Sequence, residues 1–269
     1  MNLPFFKYQG TGNDFILLDG RAGLPERDWA EVARRWCDRH RGIGADGLLL
    51  LWPGKEAPWR MQVVNADGSV PEMCGNGLRC FARYLHDQGL APTGAFAVET
   101  GAGVLHPEVL TDGRVRVDMG PPILERQHIP MGGPRTAQVI EEPLEAAGRR
   151  FEVTAVSMGN PHAVIFVPDV EAVPLETWGP ALEHHPLFPA RANIEFVQVT
   201  CKEAARMRVW ERGAGPTLAC GTGACAVLVA GVLTERLEPE ATITLPGGDL
   251  EIAWGADNRL QMTGPAELV

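Results

Sequence analysis

The sequence predicts a mixed α/β (α+β) protein of two pseudo-symmetric domains. Each is expected to be a curved, barrel-like mixed sheet around one central helix, with the active site in the cleft between them. Three observations predict this. The turns Met73-Cys74-Gly75-Asn76-Gly77 and Ala219-Cys220-Gly221-Thr222-Gly223 each set Cys-Gly-x-Gly before an apolar helical run, 220 − 74 = 146 residues apart. The same offset carries Arg60-Met61-x-Val63 onto Arg206-Met207-x-Val209 and Asn65 onto Glu211, and an offset of 147 carries Gly12-Asn13 onto Gly159-Asn160. Each half also holds many short strand-like segments and one central helix, the pattern of a sheet that must bury a face on a helix.

Residues 4–19 read as two short strands flanking a Gly-Thr-Gly-Asn turn that holds Asn13. A helix is expected over 25–39, where Trp29, Val32, Ala33 and Trp36 recur at helical spacing. The glycine-rich loop 41–47 leads into a buried strand, 48–52. It lacks the Lys-Ser/Thr of a phosphate loop and precedes a strand rather than a helix, so it is not read as a nucleotide site. Residues 59–64 form a strand and 65–69 a turn. From Leu78 the apolar positions 78, 81, 82 and 85 follow helical spacing, and Gly89 stops the helix. Segments 95–100, 103–109 and 114–119 alternate like strands, with Asp112-Gly113 as a hairpin turn.

Gly120-Pro121-Pro122 breaks the chain. The expected domains are therefore 1–120, to which the tail 264–269 returns, and 121–263. In the second half, strands are read at 138–140, 151–156, 163–167, 193–199, 205–210, 242–245, 250–254 and 260–262, with a short helix over 175–182. The run 224–233 is apolar on every face, as in a helix buried all round.

At 269 residues the chain has room for two domains, and 45% hydrophobic content is enough for two cores. A formal charge of −10 argues against a nucleic-acid partner. The N-terminus, Met1-Asn2-Leu3-Pro4-Phe5-Phe6-Lys7, has no signal-peptide pattern, and no apolar run is long enough to span a membrane. The expectation is a cytoplasmic protein whose six cysteines (37, 74, 80, 201, 220, 225) are thiols.

A cysteine at a helix start faces unpaired backbone N–H groups and the positive end of the macrodipole, so its pKa is expected to fall. The neighbouring glycines allow backbone to approach a ligand, and the same N–H groups can hold a carboxylate oxygen. Two such turns can set a base and an acid on opposite faces of a carbon beside a carboxylate, the requirement for inverting it. No lysine signature for pyridoxal phosphate is evident and no paired Cys-x-x-Cys or His-x-x-x-His for zinc, so no cofactor and no metal are expected. A redox pair of thiols, or two cysteines that merely pack, are the plainer alternatives. Cys80 and Cys225 read as packing residues.

The whole chain resembles diaminopimelate epimerases. The resemblance rests on Gly-x-Gly-Asn-Asp-Phe (10–15), Asn-Ala-Asp-Gly-Ser (65–69), Met-Cys-Gly-Asn-Gly-x-Arg-Cys (73–80), Gly-Asn-Pro-His (159–162) and Glu-Arg-Gly-x-Gly-x-Thr-x-Ala-Cys-Gly-Thr-Gly (211–223). It implies a cofactor-independent isomerase that interconverts LL- and meso-diaminopimelate for lysine and cell-wall precursor synthesis, with Cys74 and Cys220 as the base–acid pair. It implies Asn13, Asn65, Asn160, Asn193, Glu211 and Arg212 as substrate ligands, and Gly75-Asn76 and Gly221-Thr222 as the helix starts that hold carboxylate. His162 and Glu211 are implicated in tuning the thiols, and a homodimer is implied.

Where many members carry a substrate-contacting glutamine this chain has Gly47, a change expected to alter affinity modestly and chemistry little. The alternative is a proline or hydroxyproline racemase of the same fold. Asn76 opposes it, since those enzymes typically place histidine after the first Cys-Gly.

Overall fold

The structure, a computed structural model, describes residues 3–269; Met1 and Asn2, the first residues of the segment read for a leader, lie outside it. The chain divides into two compact units, residues 1–118 with 263–269, and residues 119–262.

The first unit contains β1 (Phe6–Gly10), β2 (Asn13–Asp19), α1 (Trp29–Trp36), β3 (Gly47–Pro53), β4 (Trp59–Asn65), α2 (Gly75–Asp87), β5 (Gly94–Ala95), β6 (Val98–Thr100), β7 (Gly103–Leu105), β8 (Glu108–Val109) and most of β9 (Val115–Gly120). The second contains β10 (Val139–Ala146), β11 (Arg149–Ser157), β12 (Pro161–Phe166), α3 (Leu175–Glu183), β13 (Asn193–Cys201), β14 (Ala204–Glu211), β15 (Gly215–Thr217), α4 (Gly221–Leu233), β16 (Glu240–Leu245), β17 (Gly248–Trp254) and the start of β18 (Leu260–Gly264). The chain ends in β19 (Glu267–Leu268), which pairs antiparallel with β1.

The two units repeat one topology. In the first the order is β19-β1-β2-β3-β4-β6-β7, and the longer second sheet begins with the matching run β10-β11-β12-β13-β14-β16-β17. The strand senses match step by step, with β2–β3 and β12–β13 parallel and β4–β6 and β14–β16 parallel among otherwise antiparallel neighbours. Register repeats too: Phe15 lies opposite Gly47 as His162 lies opposite Asn193. Each strand order is an open path, so neither sheet closes into a barrel, which corrects the barrel-like part of the expectation.

Each sheet is covered on both faces, which explains the unbroken apolar runs. In the first unit Ile16, Leu18, Leu48, Leu50 and Val64 pack with Ala33, Trp29 and Trp36 of α1. The alternate residues face α2, where Leu49 Cδ2 lies 3.1 Å from a Cβ built on Gly77. In the second unit Ala163, Ile165, Ile194 and Phe196 pack with Leu175, Leu182 and Trp178 of α3, and α4 lies against β11, β12, β13, β16 and β17. Helix α4 is buried from Gly223 to Gly231.

Several boundaries differ from the sequence reading. α1 is shorter, because the Asp28 carboxylate caps it by accepting from the N–H groups of Ala30 and Glu31, and Asp38 accepts from His40 and Arg41 in the turn that follows. Asn13 opens β2 rather than sitting in the turn, which is Thr11-Gly12. The segments 95–100 and 103–109 break into β5, β6, β7 and β8. The β10–β11 hairpin extends through 141–148, which was not read as strand. No helix among the described residues is long and apolar enough to cross a membrane.

Candidate active site

Each cysteine turn is the N-terminus of a central helix. Cys74 is the N-cap of α2, in extended conformation, and its sulfur accepts from the Gly77 N–H at 3.4 Å. Cys220 is the N-cap of α4, again extended, with Sγ 3.6 Å from the Thr222 hydroxyl. The first N–H groups of a helix have no intrahelical acceptor, so both turns present donors and a positive dipole end. Glycine is required by space: a Cβ on Gly223 would sit 2.9 Å from Glu195 Oε1 and 3.1 Å from Cys220 Sγ.

In the first unit Asn13 lies beside the turn. Its Oδ1 accepts from Asn76 Nδ2 at 3.2 Å, while its Nδ2 donates to Asp46 Oδ2 at 2.7 Å. Asn76 is buried and its Oδ1 has no partner. Asp46 also accepts from the Asp14 N–H and from Arg39. The glycine-rich loop that resembled a phosphate cradle thus fixes the Asn13 amide instead. Asn65 ends β4 opposite Gly47 and donates to Ser69 Oγ at 2.9 Å.

The second unit repeats the arrangement. Asn160 Nδ2 donates to Thr222 Oγ1 at 3.3 Å, the counterpart of the Asn13–Asn76 contact, and Asn160 Oδ1 lies 3.0 Å from His162 Nε2. His162 is fully buried, with Nδ1 2.7 Å from Glu195 Oε1. Asn193 is tied at both ends, donating to Pro161 O at 3.0 Å and accepting from the Arg212 N–H at 2.9 Å. Its geometry is that of a brace for the Arg212 backbone. Glu211 accepts from the Thr217 hydroxyl. The Arg212 side chain is exposed and donates to Ala190 O at 3.2 Å. The following turn is held by buried Glu183, which accepts from Gly213 N–H at 2.9 Å and Trp210 Nε1 at 2.7 Å.

The electrostatics of Cys220 reverse the expectation drawn from its helix start. Burial pushes this thiol well above its ordinary value, and the Glu211 and Glu195 carboxylates push it further. The Thr222 hydroxyl and the Gly223 N–H act the other way without offsetting burial. A thiolate stripped of water loses more than the helix start returns, the usual outcome when desolvation dominates. Cys80 is likewise pushed up to about 12 and Cys37 to about 11, both chiefly by burial. Cys80 and Cys225 are fully buried within their helices.

Gly47 is sterically constrained. A Cβ there would lie 2.8 Å from the Val64 carbonyl oxygen, so the backbone, not only a ligand preference, favours glycine at this place. Glu195, Asp46, Glu183 and Thr217 were not singled out by sequence reasoning. Glu195 was the hardest to find, since a glutamate in the strand sequence Ile194-Glu195-Phe196 looks solvent-facing by alternation.

A family model described as diaminopimelate epimerase matches residues 5–125 and 154–269. The chain is 53% identical to the diaminopimelate epimerase of Moorella thermoacetica over 269 residues, covering 98% of this chain and 96% of that one. It is also 53% identical to diaminopimelate epimerase 1 of a Nostoc species over 274 residues, covering 100% of this chain and 98% of the other. Among solved structures, a phenazine biosynthesis protein of the PhzF family from Bacillus anthracis is similar with a TM-score of 0.71 at 16% identity, covering 100% of this chain and 98% of that one. A probable proline racemase from Agrobacterium radiobacter is similar with a TM-score of 0.71 at 15% identity, covering 100% and 91%. These two share the fold. With Cys-Gly-x-Gly at the start of the central helix in each unit, and with relatives matched over nearly their full length, the chain belongs to the diaminopimelate epimerase family.

Proposed function

We propose that this protein interconverts LL- and meso-diaminopimelate without a cofactor, by a two-cysteine proton transfer at one α-carbon. The observation that carries this reading is the duplication: in a chain of this family, a cysteine is the N-cap of the central helix in each of two units of the same topology. One thiolate takes the α-proton from one face, and the electron pair passes into the adjacent carboxylate. The other thiol gives its proton to the opposite face, so each turnover exchanges the protonation states of the two sulfurs. Cys74 deprotonates the LL isomer in this scheme.

The intermediate places extra charge on the substrate carboxylate. Backbone N–H groups at Gly75-Asn76 and Gly221-Thr222 stabilise it electrostatically. Glu211 receives the ammonium and Arg212 a carboxylate, while Asn13, Asn65, Asn160 and Asn193 order the remaining polar groups, Asn193 through the Arg212 backbone. His162 and Glu211 set the ionisation of the thiols. Because one thiolate and one thiol are needed together, the rate is bell-shaped in pH. We further propose a cytoplasmic homodimer. The racemase alternative is supported only by a likeness of fold at 15% identity.

Proton NMR of LL-diaminopimelate with the reduced protein in D₂O tests the reading. Loss of the α-proton signal with appearance of the meso isomer is the expected result. Exchange of proline in its place, or of neither compound, overturns it. Light scattering of the eluting protein tests the dimer.

A further inference from the structure

The two units share a framework but differ in the groups set beneath their cysteine turns. The offsets that relate the two cysteine turns relate Phe15 to His162 and Leu49 to Glu195, since 162 − 15 = 147 and 195 − 49 = 146. The strand pairing agrees, with Phe15 opposite Gly47 and His162 opposite Asn193. Beneath Gly77, the second glycine of the first turn, lies the Leu49 methyl group; beneath Gly223, the second glycine of the other, lies the Glu195 carboxylate. The apolar pair of one unit is an ionisable pair in the other. Both His162 and Glu195 are fully buried.

From Glu195 a chain of contacts runs to the sulfur. Glu195 Oε1 is 2.7 Å from His162 Nδ1, His162 Nε2 is 3.0 Å from Asn160 Oδ1, Asn160 Nδ2 is 3.3 Å from Thr222 Oγ1, and Thr222 Oγ1 is 3.6 Å from Cys220 Sγ. The second oxygen of Glu195, Oε2, is buried with no partner. A buried carboxylate oxygen without a donor is costly, and such groups persist where they serve something other than stability.

We propose that Glu195 is a positioning residue of the Cys220 half-site: it fixes the His162 ring, and through it the Asn160 amide and the Thr222 hydroxyl, while its charge holds the Cys220 thiol protonated. The first unit carries Leu49 at the corresponding place, as it carries Asn65 where the second has Glu211, so the carboxylates that act on Cys220 have apolar and neutral counterparts there. This deepens the proposed epimerisation and rests on it for its purpose, but the test does not require activity. The rise of Cys220 has Glu195 among its causes, after burial and Glu211. The charged and titratable groups acting on this thiol are Glu211 and Glu195, with His162 next along the chain.

The experiment is a pH titration by NMR of protein labelled with ¹³C at the cysteine Cβ, for the parent chain and for Glu195→Gln, with Cys74 as the internal control in the same sample. The expected result is that Cys220 ionises at lower pH in Glu195→Gln, its thiolate fraction rising about tenfold at a fixed pH below the midpoint, while Cys74 is unchanged. The same course for Cys220 in both proteins overturns the proposal, and so does a parallel movement of Cys74 and Cys220, which marks general loosening. Reconstruction of the first unit's pair in Glu195→Leu with His162→Phe is expected to lower the Cys220 midpoint too. An epimerase assay on the same samples keeps the two readings apart: inactivity of the parent chain counts against the proposed reaction and leaves the titration standing.

Discussion

The backbone N–H of Gly77 donates to the sulfur of Cys74 across 3.4 Å, so the proposed catalytic atom is also the cap of its own helix. Substitution therefore separates two roles. Cys74→Ser keeps an acceptor at the cap, and Cys74→Ala removes it at a cost of about 1 kcal/mol. Both are expected to lower epimerisation by about a hundredfold or more. Thermal melts should show only the alanine variant losing stability, while α-proton exchange by NMR falls in both.

Arg79 has no exposed surface, yet its guanidinium donates to Thr11 Oγ1 at 3.0 Å and its Nε to Pro265 O at 3.3 Å. It ties α2 to the β1–β2 turn and to the segment leading into β19. Arg79→Met leaves those oxygens without these donors and is expected to cost about 2–4 kcal/mol. Chemical denaturation measures the loss, and amide exchange at Val269, whose N–H donates to Lys7 O at 2.8 Å, should accelerate more than exchange in α4.

The space around Gly47 changes what a glutamine there would report. With the Val64 carbonyl 2.8 Å from a built Cβ, even Gly47→Ala is expected to destabilise by about 1–3 kcal/mol. Gly47→Ala and Gly47→Gln should then share one drop in melting temperature. Only the difference between the two in KM reports a substrate contact. Equal melting temperatures in Gly47→Ala and the parent would remove the steric account.

Alkaline stability depends on buried thiols. Cys80 and Cys37 have an ordinary value of 9.0 and are raised to about 12 and about 11 in the fold. A raised acid keeps its proton in the native state while the unfolded chain loses its own. The stabilisation is complete below about pH 9 and is lost as pH climbs through the range from about 9 to about 12. Melting temperature should fall over that range, and less so in Cys80→Ala with Cys37→Ala, when each protein is compared with its own value near neutrality.

The parts of the molecule visible in its sequence were those with local chemistry to announce them. The helix starts at Cys74 and Cys220 carry glycines that permit the turn and apolar runs that follow it. The strand around 48–52 is apolar because both faces are covered, and 193–197 is covered on both faces as well. That same double burial hid Glu195, since alternation is informative only when one face meets water. The β10–β11 hairpin escaped for the opposite reason. It ends the strand order of its unit, and Glu141, Glu142, Pro143 and Glu145 blunt an edge rather than fill a core. Its turn, Ala147-Gly148, has positive φ at both residues, a hairpin geometry that alanine does not advertise. The thiol ionisation of Cys220 was misjudged because the helix start is local and the carboxylates that oppose it come from other strands.

The first unit is discontinuous in the chain, since residues 263–269 belong to it and everything from 119 to 262 is interposed. On a ribosome, the second unit is complete in sequence before the first unit's last strand has been made. β1 therefore waits, one edge unpaired, for β19 to emerge. Truncations that remove Glu267 and Leu268 act on β1, a strand made before the whole of the second unit, rather than on that unit.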